Sequence, residues 1–262
     1  MGGLTQLTGS SLAWKSAWFG TRRSEVQILS PRPAHYKYAS NSIGKQTLTN
    51  WQDQDFNATS EDDLWIHDKL IFSKKMGYKC GPVGTPVPEP GNYVVRPCVN
   101  LLGMGRGAAI NWIDLYTDDL PIGHFWCEMF KGRHFTVDYT RTPHQAGHTQ
   151  VLIAEGFRDE NNPLYKFNRW EMCPEGIKIP YPIVLSNLKY ENINVEFIGN
   201  SITEEYHPIE MHISHGGILG RDHNHIKCDE AIVVWEGDSE DPLDGYNYIA
   251  APDYRRKGFF IK

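Results

Sequence analysis

Six short β-rich runs follow one another from residue 125 onward, FWCEMF, HFTVDY, TQVLIAEGF, INVEFIG, PIEMHIS and AIVVWE, with room for only one helix among them. Gly, Asn, Asp or Pro bounds them, as strand ends require. Parallel neighbours need a crossover, usually helical, and the one segment suited to it is 181–190, YPIVLSNLKY. The runs therefore predict antiparallel pairing and an α+β fold. Ahead of them, Ser60 and Asp63 have capping-box spacing, and Leu64, Ile66, Leu70, Ile71 and Met76 follow before Gly77. That pattern predicts one continuous helix. The prolines of GPVGTPVPEPG suit neither a helix interior nor a central strand, so this loop delivers the chain to a strand at Tyr93–Arg96 that ends at Pro97. From Gly237, DSEDP and RRKG read as a surface tail.

Charge and cysteine usage exclude several classes. Lys and Arg number 26 against 32 Asp and Glu, a net charge of -6 without blocks of one sign. That argues against nucleic-acid binding by phosphate neutralisation. Polar residues interrupt every apolar stretch well short of the roughly 20 residues that span a bilayer, so no membrane span is expected. Cys80, Cys98, Cys127, Cys173 and Cys228 are odd in number and lack a C-x-x-C pair. The pattern disfavours a secreted disulfide framework and a zinc ribbon, and predicts a reduced, cytoplasmic protein with mostly buried thiols.

Residues 1–34 lack a periodic apolar face. Back-translated, Ser24-Glu25-Val26-Gln27-Ile28 can contain GTTCAAATC, and Arg32-Pro33 can read CGACCA. These strings resemble the T-arm and terminal CCA of a tRNA gene. Residues 1–50 are accordingly expected to be a disordered or spurious extension, with 60–236 as the main domain and 237–262 as the tail. A protein gene pressed against a tRNA gene suits a compact genome, which points to a bacteriophage source and the cytoplasm of a bacterial host.

Several chemistry-bearing residues then fall in an informative order. Lys69 lies in Asp68-Lys69-Leu70-Ile71-Phe72-Ser73-Lys74, followed by Pro86-Val87-Pro88 and Val94-Val95-Arg96-Pro97. Gly103, Gly105 and Gly107 come next, then Glu128-Met129-Phe130-Lys131-Gly132-Arg133-His134 leading to Val137-Asp138, and last Val195-Glu196-Phe197 and Ile209-Glu210-Met211-His212. Two cations from separate elements can clamp phosphates beneath backbone N–H groups of a glycine-rich loop. Carboxylates on late strands are hard oxygen ligands of the kind Mg²⁺ takes beside phosphates.

Over residues 64–236 this order resembles the ATP-grasp superfamily. The resemblance implies two small α+β subdomains, with largely antiparallel sheets, clamping a nucleotide. It implies ATP and Mg²⁺ (or Mn²⁺) as cofactors, and a ligase that activates a carboxylate as an acyl-phosphate for attack by an amine or similar nucleophile. Lys69, Arg96, Gly103, Gly105, Gly107, Glu128, Met129, Phe130 and His134 would hold the nucleotide, Glu196, Glu210 and His212 the metal, and Arg96 and Glu210 would serve catalysis. The substrate would be a small-molecule or peptide carboxylate, with a partner protein as one source of the missing substrate-binding domain. The chain departs from the family where Arg96 replaces lysine, His134 an acid and His212 an asparagine, and where Asn194 stands in place of an arginine. Two rival readings remain: a transition-metal enzyme built on His207, Glu210, His212, His215, His223 and His225, and an inactive nucleotide-binding or virion-associated relative.

Overall fold

The computed structural model describes residues 51–99, 105–142, 147–200, 202–214, 228–253 and 255–262. The expected N-terminal extension, Gly103 and the histidines at 215, 223 and 225 lie outside these residues.

The described residues open with α1 (Trp51–Ala58), a 3-10 helix at Glu61–His67 and α2 (Lys69–Lys75). The single helix expected from Ser60 to Met76 is thus two. Asp68 breaks it in an extended conformation (φ -96°, ψ 103°), and its carboxylate caps α2 by accepting from Ile71 N. The N–H of Lys69 donates to Cys98 O at 2.7 Å, outside the helix. Ser60 places its hydroxyl on Asp63 Oδ2 rather than on a helix N–H.

Twelve strands follow among the described residues: β1 (Cys80–Pro82), β2 (Gly91–Pro97), β3 (Ala109–Ile113), β4 (His124–Glu128), β5 (Arg133–Arg141), β6 (His148–Phe157), β7 (Arg169–Met172), β8 (Asn192–Asn200), β9 (Glu205–His212), β10 (Glu230–Trp235), β11 (Asn247–Asp253) and β12 (Arg256–Ile261). They form a four-stranded sheet, β1-β4-β2-β3, and an eight-stranded sheet, β11-β12-β10-β7-β6-β5-β8-β9. Every described pairing is antiparallel, so the α+β expectation holds. The segment at 181–190 supplies only a short 3-10 turn, Ile183–Leu185.

Strand alternation divides the large sheet into two faces. Phe135, Val137 and Tyr139 of β5 pack with Ile193, Val195 and Phe197 of β8, Met211 of β9 and Phe72 of α2 in the main core. The intervening residues, His134, Thr136, Asn194, Glu196, Glu210 and His212, turn to the other face. A second cluster joins Ala154, Ala231, Val233, Trp235, Phe259 and Ile261. Its last two members correct the expected surface tail: β12 lies between β10 and β11, and Phe259, Phe260 and Ile261 are buried. The charges of RRKG lead into the strand, but the apolar residues behind them complete the sheet.

Candidate functional site

The residues singled out from the sequence gather mainly around β9, the edge strand beside α2. Lys69 begins α2, and its Nζ lies 2.6 Å from Glu210 Oε2. Arg96, near the end of β2, donates from Nη2 to Ile209 O at 3.1 Å and to Ser73 Oγ at 3.3 Å, and lies over the Phe125 ring. Two buried cations from different elements therefore meet adjacent residues of one strand. The Arg96 Nε is buried and has no hydrogen-bond acceptor. Burial alone would raise the Glu210 carboxyl pKa, yet Lys69, His212 and Arg96 hold it well below the usual carboxylate range.

The second carboxylate pairs elsewhere. Glu196 is the register partner of Glu210 across β8 and β9, and of Thr136 across β8 and β5. Its Oε2 lies 3.2 Å from His134 Nε2, near enough for ionic contact but not aligned as a hydrogen bond. Phe167 and Trp170 stand edge-on to the His134 ring. Asn194 donates to both Asp138 Oδ1 and Thr136 Oγ1 at 2.7 Å. Its amide is thereby held within the sheet.

His212 Nε2 is 3.6 Å from Glu210 Oε1. Glu196, Glu210 and His212 thus share a face without converging, and no group of three His, Cys, Asp or Glu side chains forms a metal-binding cluster among the described residues. The donor chemistry suits Mg²⁺ only in type. As arranged, the carboxylates are committed to side chains of the chain itself, so the donors do not fit a preformed ion site. His207, a member of the rival histidine cluster, instead stacks on Phe130 at 4.1 Å.

The segment from Glu128 to Phe130 links the two sheets. Glu128 accepts from Lys79 N at 2.8 Å, and with Met129 it lines a shallow cavity of about 170 Å³ beside Asn92 and Tyr93. Tyr78 packs edge-on against Phe130, and its hydroxyl donates to Pro208 O at 3.1 Å. In the glycine-rich loop, Gly105 (φ 62°) and Gly107 (φ 82°) occupy left-handed conformations. A Cβ at Gly107 would come 3.2 Å from His124 Nε2. Both glycines are therefore needed for the turn.

His67, not singled out from the sequence, lies in the electrostatic reach of this site. Burial lowers its pKa to about 4; His212 pushes the same way and Glu210 opposes. Its Nε2 is 2.7 Å from Thr59 Oγ1. The only available signal was its place two residues before Lys69.

No protein-family model matches the chain, and no curated protein sequence does. Among solved structures, it is similar to N5-carboxyaminoimidazole synthetase from Staphylococcus aureus complexed with ADP (11% identity, TM-score 0.48), over 76% of this chain and 67% of that one. It is similar to L-amino acid ligase from Bacillus licheniformis (9% identity, TM-score 0.43), over 75% and 66%. A proposed ATP-grasp superfamily protein from Archaeoglobus fulgidus shows 13% identity and a TM-score of 0.42, over 75% of this chain and 64% of that one. The chain thus spans about two thirds of the length of these structures. The likeness to ATP-grasp superfamily proteins concerns the course of the backbone, and it extends over about three quarters of the chain.

Proposed function

We propose that the chain binds ATP and uses it to activate a carboxylate as an acyl-phosphate for attack by an amine or similar nucleophile. The observation that carries this reading is the meeting of Lys69 and Arg96 on consecutive residues of β9. A triphosphate is a ligand suited to two buried cations on separate elements. Arg96 Nε is a buried donor with no acceptor, and in this reading a phosphate oxygen supplies one. The ordered motifs from Lys69 to His212 add support through their resemblance to the ATP-grasp pattern.

In this reading, a substrate carboxylate oxygen attacks the terminal phosphorus and ADP departs. The nucleophile then attacks the acyl carbon and releases phosphate. The protein supplies positioning and charge neutralisation. Lys69 and Arg96 hold phosphate oxygens, Gly105 and Gly107 let the loop backbone approach them, and Glu128, Met129 and Phe130 flank the base. His134, steadied by Glu196, takes the ribose side. Magnesium would travel as part of the nucleotide substrate, since it is commonly held through phosphates and few protein carboxylates.

The substrate is proposed to be a small-molecule or peptide carboxylate, with a partner protein supplying further substrate binding. We extend the reading to the cytoplasm of a bacterial host and a phage gene; an odd number of widely spaced cysteines supports a reducing location. Among the described residues, no helix is long and apolar enough to cross a membrane. Calorimetry with ATP analogues, with and without Mg²⁺ or Mn²⁺, tests the reading, followed by a screen for carboxylate-dependent ADP release. Micromolar nucleotide binding that Arg96→Ala weakens is the expected result; no heat with any nucleotide would overturn it.

A further inference from the structure

Cys80 in β1 and Cys127 in β4 are direct partners across an antiparallel pair. The backbone bonds determine what kind of partners they are. Glu128 N donates to Lys79 O at 2.9 Å, and Val83 N donates to His124 O at 3.2 Å. Those two positions are therefore the hydrogen-bonded pairs, and Gly81 opposite Trp126 is the third by alternation. Cys80 and Cys127 fall between them, at a non-hydrogen-bonded position. There the Cα atoms stand about 4.5 Å apart, with both side chains on one face. Disulfides span Cα separations of about 4.4–6.8 Å, so no strand need move to join these two sulfurs. Cys80 is partly exposed, and Cys127 is buried beside Ser73 and Arg96.

We propose that Cys80 and Cys127 form a reversible cross-strand disulfide. The oxidant is a low-molecular-weight disulfide such as oxidised glutathione. The Cys80 thiolate attacks one of its sulfurs and expels a glutathione thiolate, which takes up a proton. Cys127 then loses its proton and attacks the Cys80 sulfur of the mixed disulfide, expelling the second glutathione thiolate. Two protein thiols are oxidised by two electrons, and one small disulfide is reduced to two thiols. Burial raises both thiol pKa values, that of Cys127 to about 11. Thiolate is scarce at neutral pH, so closure is slow there and quickens as pH rises. The bond would fasten β1, which follows the helix carrying Lys69, to the strand that leads into Glu128.

The test equilibrates the full chain in oxidised and reduced glutathione buffers, alkylates the remaining thiols and maps the peptides by mass. The expected product is one reductant-sensitive link between the Cys80 and Cys127 peptides, forming faster at higher pH. The melting temperature should rise by roughly 5 °C or more on oxidation. Cys80→Ser should abolish both effects, while Cys98→Ser and Cys173→Ser leave them intact. The wild-type peptide map decides the matter even if a variant fails to fold. A glutathione adduct on Cys80 with Cys127 still alkylatable would overturn the proposal, as would a link between any other pair.

Discussion

The ammonium of Lys69 lies 2.6 Å from a carboxylate oxygen of Glu210, and both side chains are nearly closed to solvent. Each neutralises a buried charge on the other, and although Glu210 also faces His212 and Arg96, removal of either partner leaves the remaining charge poorly compensated. Lys69→Ala is expected to lower the unfolding free energy by about 3 kcal/mol, and the double variant Lys69→Met/Glu210→Gln by less. Urea unfolding of the single and double variants measures this. Because the folded state depresses the Glu210 carboxyl pKa, the pair's contribution is complete above the ordinary carboxylate range and fades as pH falls through the folded value. Glu210→Gln should flatten that acid limb.

The same contact places Glu210 on the cation proposed for phosphate. Replacing the carboxylate by an amide should release Lys69, so Glu210→Gln is expected to bind nucleotide in excess chelator roughly tenfold more tightly than wild type. Arg96→Ala should weaken binding tenfold or more under all conditions. Titration of a fluorescent ATP analogue into the three proteins distinguishes these effects. Equal affinity in all three would remove both residues from the phosphate site.

His67 supplies a pH dependence in a different window. Its folded pKa is lowered to about 4 from 6.5. The unfolded chain therefore binds more protons between those values, and stability falls as pH drops through that range. His67→Gln keeps a polar partner for Thr59 and should remove on the order of 1 kcal/mol of this loss, after discounting for its partial exposure. Denaturant midpoints at pH 5 and pH 7 provide the comparison. A wild type whose stability is flat between them would contradict it.

β12 makes a stability prediction opposite to that of a surface tail. Phe259 is 4% exposed and packs with Trp235, Val233 and Ala154. Phe259→Ala is expected to cost about 3–4 kcal/mol, as for other buried aromatics. Thermal unfolding should show the drop, and cleavage before Arg256 should yield insoluble protein. A stable truncated chain would mean that the strand is dispensable.

Local patterning made some of this architecture legible and tertiary partners concealed the rest. Phe135, Val137 and Tyr139 alternate with polar residues, so the strand and its buried face could be read together. The break at Asp68 could not, because the N–H of Lys69 bonds to Cys98, a residue far along the chain. β1 holds only Cys80, Gly81 and Pro82, too few for a periodic signal. At the site, the resemblance of the ordered motifs to the ATP-grasp pattern brought out Lys69, Arg96 and Glu210, which the structure does bring together. Spacing on a strand tells which face a side chain takes but not what lies opposite. The resemblance implies Glu196 beside Glu210 in the metal set, while its contact with His134 stays hidden in the sequence.

The register of β9 shifts between Pro208 opposite Phe197 and Glu210 opposite Glu196, leaving Ile209 as an extra residue. At this bulge, where the ladder is locally disrupted, its carbonyl accepts from Arg96. Deleting Ile209 would restore a regular ladder without turning any neighbouring side chain to the opposite face. The strand could therefore lose this residue at little architectural expense, while Arg96 would lose its anchor on the large sheet. Ladder regularity and guanidinium placement therefore oppose one another at a single codon, and the bulge is kept by the buried charge that its carbonyl satisfies.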